Sequence, residues 1–248
     1  MFKFNNKNSL SLKLFVAASL AIFILFVFVF FITKISPPLA RGGADIRGKY
    51  YLNENYSEGD LLITKVPRLK DMLAGPIISD LDPGMGNEKA PVTIVIFSDY
   101  QCGFCQKQEQ ILKNLLNQYG DKIRLIWKDY PESDENSISF LAAVAGRCAQ
   151  EQKKFWEYHD LLFQNSNGLN SKILFELARK LNLNINQFNY CLSGSEAEQL
   201  IKDNIEEADA LGISGVPFIY VNDREVMGEI TFEELRRIVE IELGKTKN

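Results

Sequence analysis

The segment that most restricts the fold of this chain is a Cys-x-x-Cys motif placed between an apolar run and a helical pattern. Residues 91–97 are rich in β-branched side chains and predict a buried strand. A short turn leads to Cys102-Gly103-Phe104-Cys105, and apolar residues at helical spacing then predict a helix to about Tyr119. Residues 123–127 predict a second strand. The sequence therefore predicts a β-α-β unit with both cysteines at the strand-to-helix junction.

The remainder of the chain predicts a block of helices followed by two strands and a last helix. The helical block covers residues 137–211, with helices over 137–164, 171–181, 185–191 and 196–211. A strand at 218–221 and a short return strand at 225–227 follow, joined by a turn. Thr231 and Glu234 form a capping box for a helix to about residue 243. This order of elements indicates an α/β fold.

Three kinds of site use a Cys-x-x-Cys motif: a zinc site, a structural disulfide and a redox-active dithiol. Zinc usually needs a second pair of ligands, whereas the other two cysteines stand singly and His159 is the single histidine. A disulfide across two residues closes too short a loop to stabilise the fold much. The redox dithiol is favoured, because unpaired N–H groups and the dipole of a helix N-terminus would stabilise a Cys102 thiolate. Cys105, one turn further in, would be the resolving thiol.

A second signal lies in Gly215-Val216-Pro217, directly before the predicted strand at 218–221. Proline is tolerated at the first position of a strand. A cis Val216–Pro217 bond would fit a tight turn beside the dithiol, and an ordinary trans proline is the alternative.

Three segments carry a resemblance to the DsbA-like thiol:disulfide oxidoreductases: Ala90–Val95, Phe97–Cys105 and Gly215–Asn222. They occur in the order of that family. The resemblance implies a thioredoxin fold over about residues 76–245, with a helical insertion at about 137–211 between its β-α-β and β-β-α halves. It also implies that Cys102 and Cys105 are the redox-active pair and that Pro217 is the cis-proline beside them.

The chain departs from that family at positions close to the motif. Many relatives have a glutamate six residues before the first active cysteine, where this chain has Ile96. The dipeptide Gly103-Phe104 lacks the histidine of DsbA, which helps to stabilise the thiolate there. Its absence favours a less oxidising potential than that of DsbA. Glu109 and Lys128 resemble charged residues near the site in DsbA and are candidates for proton transfer. The alternative for both is an exposed surface pair.

The other two cysteines resemble a second disulfide found in many members of the family. Cys148 lies on the apolar face of its predicted helix, and Cys191 ends another. Their bond would contribute about 4 kcal/mol in the chain-entropy model, and two separate buried thiols are the alternative. His159 follows Trp156 at helical spacing and is expected to be a packed or capping residue rather than a catalytic one.

The region before the motif contains an apolar run, Leu14–Ile32, in which Ser19 is the single polar residue. The run is long enough to cross a bilayer, and a buried core helix is the alternative. Its length and the lack of a small-x-small cleavage site favour an uncleaved anchor over a signal peptide. The preceding lysines place the N-terminus in the cytoplasm. The predicted organisation is a cytoplasmic segment at 1–13, a transmembrane anchor at 14–33, a spacer at 34–75 and an extracytoplasmic domain at 76–245.

Composition narrows the classes of partner. A pI of about 5.3 argues against nucleic acid, and no cofactor and no metal are expected. With an oxidising compartment, the resemblance implies a membrane-tethered enzyme that oxidises dithiols of exported proteins and is itself reoxidised by a DsbB-like membrane quinone reductase. A disulfide isomerase or reductase of the same fold, and a non-catalytic chaperone or binding module, stay open as alternatives.

Overall fold

The chain folds around the strand β2 (Val92–Ser98), which is buried at every position except the half-buried Thr93. The structure, a computed structural model, describes residues 73–245. The predicted cytoplasmic segment, the anchor and most of the spacer lie outside the described residues. Within residues 73–245, no helix is long and apolar enough to cross a membrane.

The five strands form one mixed sheet in the order β1-β3-β2-β4-β5. The neighbours β2 and β3 run parallel, and the other three pairs are antiparallel. The remaining strands are β1 (Gly84–Gly86), β3 (Ile123–Asp129), β4 (Phe218–Val221) and β5 (Arg224–Met227). The helices are α1 (Gly103–Tyr119), α2 (Ile138–Glu151), α3 (Phe155–Gln164), α4 (Ser171–Lys180), α5 (Ile185–Leu192), α6 (Glu196–Ala210) and α7 (Phe232–Lys245). The predicted α/β class and element order are confirmed, with α2 to α6 inserted between the two halves.

Successive residues of β2 face opposite sides of the sheet, as a strand requires. Ile94 and Ile96 belong to the larger core, which also contains Cys105 and Leu112 of α1. Val95 and Phe97 belong to a smaller core on the other face, which is covered by Ala208 of α6. The side of the sheet on which a residue lies therefore decides whether it can approach the cysteines of α1.

The prediction of one helix over residues 137–164 is wrong, because the chain turns between α2 and α3. Lys153 has a φ of 59°, and a non-glycine residue in this left-handed region cannot continue a right-handed helix. The amides of Gln152 and Lys154 bond back to the carbonyl of Ala149 and close the end of α2. The turn allows α3 to take its own direction.

The short edge strand β1 has no counterpart in the sequence prediction. Its Gly-Met-Gly sequence lacks β-branched residues, so strand propensity gives no signal. Gly86 has a φ of 97°, and a Cβ there would lie 2.6 Å from the carbonyl oxygen of Ile123. The close approach to β3 explains the glycine and shows that tertiary contacts, rather than propensity, form this strand.

Candidate active site

Cys102 is the N-cap residue of α1. Its backbone is extended, and its Sγ accepts a hydrogen bond from the backbone N–H of Cys105 at 3.2 Å. The side chain is half-buried, so a second molecule can reach the sulfur. A cap position directs N–H groups and the positive end of the helix dipole at this atom, an environment that favours negative charge.

Cys105 lies one turn inside α1 and is fully buried. Both thiols are free in this structure. Burial, followed by the hydrogen bond with Cys102, raises the pKa of the Cys105 thiol well above its usual value. The two sulfurs are therefore unequal, with an accessible one at the helix terminus and a protected one behind it.

The loop before β4 faces Cys102 from the opposite side. The Val216–Pro217 peptide bond is cis, and the carbonyl oxygen of Val216 lies 3.7 Å from the Sγ of Cys102. The carbonyl oxygen of Pro217 accepts a hydrogen bond from the amide of Gly228 at 2.8 Å. The β4–β5 hairpin thus holds this loop beside the cysteine, although the two segments are more than one hundred residues apart in sequence.

Exposed apolar side chains lie on the segments that meet at Cys102. Phe104, within the motif, is 59% exposed, and Met227, which pairs with Phe218 after the cis-proline, is 68% exposed. The ammonium of Lys107 lies 5.4 Å from the centre of the Phe104 ring and 3.6 Å from a carboxylate oxygen of Glu229. Sequence reasoning did not single out Met227, since it became relevant only through the strand pairing.

Glu109 and Lys128 were both predicted as candidates for proton transfer at the cysteines. The structure places them on opposite sides of the sheet. Lys128 is adjacent to Trp127 on β3 and points to the smaller core, away from Cys105. Its ammonium is buried between Asp82 at 2.9 Å and Glu207 at 3.0 Å. This geometry argues against proton transfer by Lys128 and gives the residue a structural role instead. The alternative of an exposed surface pair is also wrong, because both residues are buried.

Glu109 is buried on the same side of the sheet as Cys105. Its Oε2 lies 3.6 Å from the Nε2 of His159, and its Oε1 has no hydrogen-bond partner in the described part of the chain. His159 is packed as expected, among the rings of Tyr100, Trp127, Phe155, Trp156 and Phe163. The contact between Glu109 and His159 was missed, because nothing in the sequence aligns α3 with α1.

The turn that carries the cysteines is attached to the helical insertion. The side-chain amide of Gln101 donates to the carbonyl oxygen of Ser166, and that of Gln106 donates to the carbonyl oxygen of Phe163 at 2.8 Å. The ring of Tyr100 stacks on Trp127 with a centroid distance of 5.1 Å. The end of α3 thereby fixes the position of the motif relative to the sheet.

The remaining cysteines, Cys148 of α2 and Cys191 of α5, are joined by a disulfide. This is the pairing that the family resemblance implied. Both residues are buried, whereas Cys102 is partly accessible to solvent. Residues 73–245 contain no group of three or more His, Cys, Asp or Glu side chains arranged to hold a metal.

We expect loss of this disulfide to destabilise the protein. The Cys148→Ser/Cys191→Ser variant should lose about 2–4 kcal/mol of unfolding free energy, because the bond closes a long loop in the unfolded chain. Urea unfolding of the full-length protein without reductant, followed by tryptophan fluorescence, measures the change. Cys102→Ser is the matched control, since it leaves the disulfide intact. Equal unfolding midpoints for the double variant and the wild type would contradict a stabilising role.

Solved structures of similar fold include several oxidoreductases. A thioredoxin-like oxidoreductase from Silicibacter pomeroyi is 26% identical, with a TM-score of 0.59, and the match covers 65% of this chain and 92% of that one. The thiol-disulfide exchange protein alpha-DsbA2 from Wolbachia pipientis is 24% identical, with a TM-score of 0.59 and coverages of 64% and 86%. Oxidised BdbD from Bacillus subtilis is 23% identical, with a TM-score of 0.59 and coverages of 66% and 94%. The last two matches show the fold alone.

Curated relatives match over a small part of their own length. The Na(+)/H(+) antiporter NhaA 3 of Salinispora tropica is 32% identical over 164 residues, which are 66% of this chain and 25% of the antiporter. NhaA 1 of Salinispora arenicola gives the same identity and coverage. The chain therefore spans about a quarter of the length of these relatives.

The family assignment rests on the described domain as a whole. The family model described as Thioredoxin matches residues 79–241, which is more than half of the chain and begins close to the predicted domain start at 76. The matched range contains the sheet, the cysteine motif at the N-terminus of α1 and the cis-proline loop. The chain belongs to the thioredoxin family.

Proposed function

We propose that this protein is a membrane-tethered, extracytoplasmic thiol:disulfide oxidoreductase that oxidises dithiols of exported proteins through a Cys102–Cys105 disulfide. One observation carries the proposal: the half-buried residue Cys102 caps α1 with its sulfur beside the Val216 carbonyl, while Cys105 is buried one turn behind it. The similarity to a thioredoxin-like oxidoreductase from Silicibacter pomeroyi supports the class of reaction. The membrane tether rests on the apolar run Leu14–Ile32.

The reaction takes place in two displacements at sulfur. A substrate thiolate attacks Cys102, so that a substrate–Cys102 bond forms, the Cys102–Cys105 bond breaks and the electron pair goes to Cys105, which takes up a proton. The second substrate thiolate then attacks the substrate sulfur of this mixed disulfide and releases Cys102 as a thiolate. The substrate loses two electrons, and the enzyme dithiol gains them. A DsbB-like membrane quinone reductase would return the enzyme to the disulfide form.

The position of Cys102 favours oxidation of substrates over their reduction. The Cys105 amide and the helix dipole favour negative charge on the Cys102 sulfur, and such charge can develop only in the reduced enzyme. Stabilisation of the reduced form makes the disulfide a stronger oxidant. The lack of a histidine between the cysteines limits this effect, so we expect a potential between those of DsbA and thioredoxin.

The proposal is tested by trapping the mixed disulfide in the full-length protein. In Cys105→Ser protein that carries glutathione on Cys102, a thiolate of a reduced exported protein with a single cysteine displaces glutathione and forms a bond to Cys102. Neither Cys105 nor a second substrate thiol is present to break that bond, so mixed disulfides should accumulate on non-reducing gels. Cys102→Ser/Cys105→Ser is the matched control and should form none. Absence of mixed disulfides in Cys105→Ser would favour a non-catalytic binding module.

The direction of electron flow is measured separately, as the reduction potential of the Cys102–Cys105 pair. We expect a value between about −120 mV, typical of DsbA, and about −270 mV, typical of thioredoxin. A value at or below that of thioredoxin would contradict the oxidase proposal and favour a reductase.

A further inference from the structure

The proposed reaction creates a negative charge on the buried sulfur of Cys105, where the apolar surroundings disfavour an anion. When the Cys102–Cys105 bond breaks, the leaving thiolate forms on Cys105, which has no exposed surface. An anion in an apolar interior is costly unless it is neutralised. Ile96, on the β2 face that belongs to the same core, is fully buried and can supply no proton.

Glu109 is the acidic side chain that α1 brings to this side. It follows Cys105 by four residues, a spacing that places two side chains on one face of a helix about 5–6 Å apart at Cβ. A carboxyl and a thiol on such neighbouring positions can come within reach of each other, directly or through one bridging water molecule. Glu109 is 4% exposed, and its Oε1 has no hydrogen-bond partner within the described residues. A buried, partly unsatisfied carboxyl one turn from the leaving thiolate can exchange a proton with it.

His159 connects Glu109 to the surface. Its Nε2 lies 3.6 Å from Oε2 of Glu109, and its Nδ1 lies 3.2 Å from Oδ1 of Asp160. The Asp160 side chain is 40% exposed, and its Oδ1 also accepts from the ammonium of Lys113 at 2.8 Å. The imidazole ring therefore has one nitrogen toward a buried carboxyl and the other toward a carboxylate in contact with water.

We propose that Asp160, His159 and Glu109 form a proton path between solvent and Cys105, in which His159 is the central positioning residue. The inference rests on the function proposed above, since it concerns the thiolate that disulfide exchange creates. It assigns to His159 a role beyond packing among aromatic rings, because packing alone does not require carboxylates at both ring nitrogens.

The proton balance follows the bond changes at sulfur. When a substrate thiolate displaces Cys105, Glu109 passes a proton from Nε2 of His159 to the Cys105 thiolate. Nδ1 takes up a proton from water through Asp160, so the ring is left with its proton on Nδ1. When Cys105 is reoxidised, the same atoms carry a proton outward and return the ring proton to Nε2, which restores the starting state. No electron passes through these residues.

The groups around His159 set the pH range of the path. They are Glu109 and Lys113 of α1, Asp160 of α3 and the Tyr100 hydroxyl from the loop before α1. Behind the rings of Trp127 and Phe155 lies the buried ion pair of Asp129 and Arg147.

Burial alone would lower the pKa of His159, but Glu109 and Asp160 outweigh it and raise the pKa above its usual value. Supply of protons to Cys105 should therefore fall as pH rises through the pKa of His159.

The test compares substitutions along the path in the oxidised full-length protein. Asp160→Asn removes the charge at the partly exposed end, where it disturbs folding least, and His159→Phe keeps an aromatic ring in the cluster. Both should slow the single-turnover reaction with a dithiol peptide at least about tenfold at pH 7. Glu157→Gln, a partly exposed carboxylate on the same helix, paired with Lys154, is the matched control and should react as the wild type.

A second measurement separates proton transfer from a loss of structure. In Cys105→Ser protein that carries glutathione on Cys102, the peptide expels glutathione and no charge forms at position 105. Asp160→Asn should slow the reaction of the oxidised protein but not this displacement, whereas structural damage around Cys102 would slow both. Rates equal to those of Glu157→Gln for Asp160→Asn and His159→Phe from pH 5.5 to 8 would overturn the path while leaving the proposed function intact. An unreactive wild type would overturn the proposed function itself.

Discussion

Cys102→Ser is expected to abolish disulfide exchange, with a fall of at least about 10³-fold in the rate of dithiol oxidation. Serine can occupy the N-cap of α1, because it is a preferred capping residue. It cannot form the bond to a substrate sulfur on which the reaction depends. The loss should therefore appear without a change in fold, and the measurement is oxidation of a reduced dithiol peptide by the full-length protein.

A suitable control for this experiment is Cys148→Ser/Cys191→Ser, assayed where it remains folded. It removes the two cysteines outside the motif and leaves Cys102 and Cys105 in place. It should keep its exchange activity. If Cys102→Ser retained activity while this control lost it, the motif would not be the reactive site.

Lys128→Met is expected to cause the largest loss of stability, about 3–5 kcal/mol. Methionine replaces the aliphatic part of the side chain, but Asp82 and Glu207 then remain buried without their shared cation. Removing one partner of a buried ion pair is costly because the remaining charge is neither hydrated nor compensated. Urea unfolding of the full-length protein measures the effect, and Lys122→Met, on the exposed turn before β3, is the control with the same change of side chain.

The pH dependence of this variant distinguishes lost charge pairing from lost packing. Burial raises the pKa of Glu207 in the wild type, although Lys128 opposes it. Without Lys128 the folded protein should bind a proton at Glu207 at a higher pH than the unfolded chain, whose glutamate pKa is about 4.3. The stability of the variant should therefore be recovered at acid pH and lost as pH rises through the folded-state pKa. A deficit that stays constant from pH 4 to 7 would point to packing instead.

The sequence predicted the arrangement of the active-site elements because its signals are local. The β-branched run of β2, the cysteines at the start of α1 and the capping box of α7 each depend on residues that are neighbours in the chain. The approach of Pro217 to Cys102 joins distant parts of the chain. It could be predicted only because the three motif segments resemble a known family in which such a proline lies beside the cysteines.

The features that escaped prediction depend on contacts across the fold. Lys128 and Glu109 are both charged residues in apolar surroundings, and the sequence does not say on which side of the sheet each lies. The register of β2 with β3 decides this, since it pairs Phe97 with Lys128 and directs the ammonium to α6. His159 was correctly expected to be packed, but its carboxylate neighbours depend on how α3 lies against α1.

The small edge strand β1 determines where a truncated form of this protein should begin. Residues 77–86 are attached to the domain by the Glu207 bond to the Ile77 amide, the Lys128 bond to Asp82 and the Arg147 bond to the Leu81 carbonyl. A fragment that begins at β2 would leave β3 as an open edge, and unpaired edges associate with other chains. A truncated protein intended to remain monomeric should therefore start ahead of Ile77, even though every residue of the reactive site lies beyond position 95.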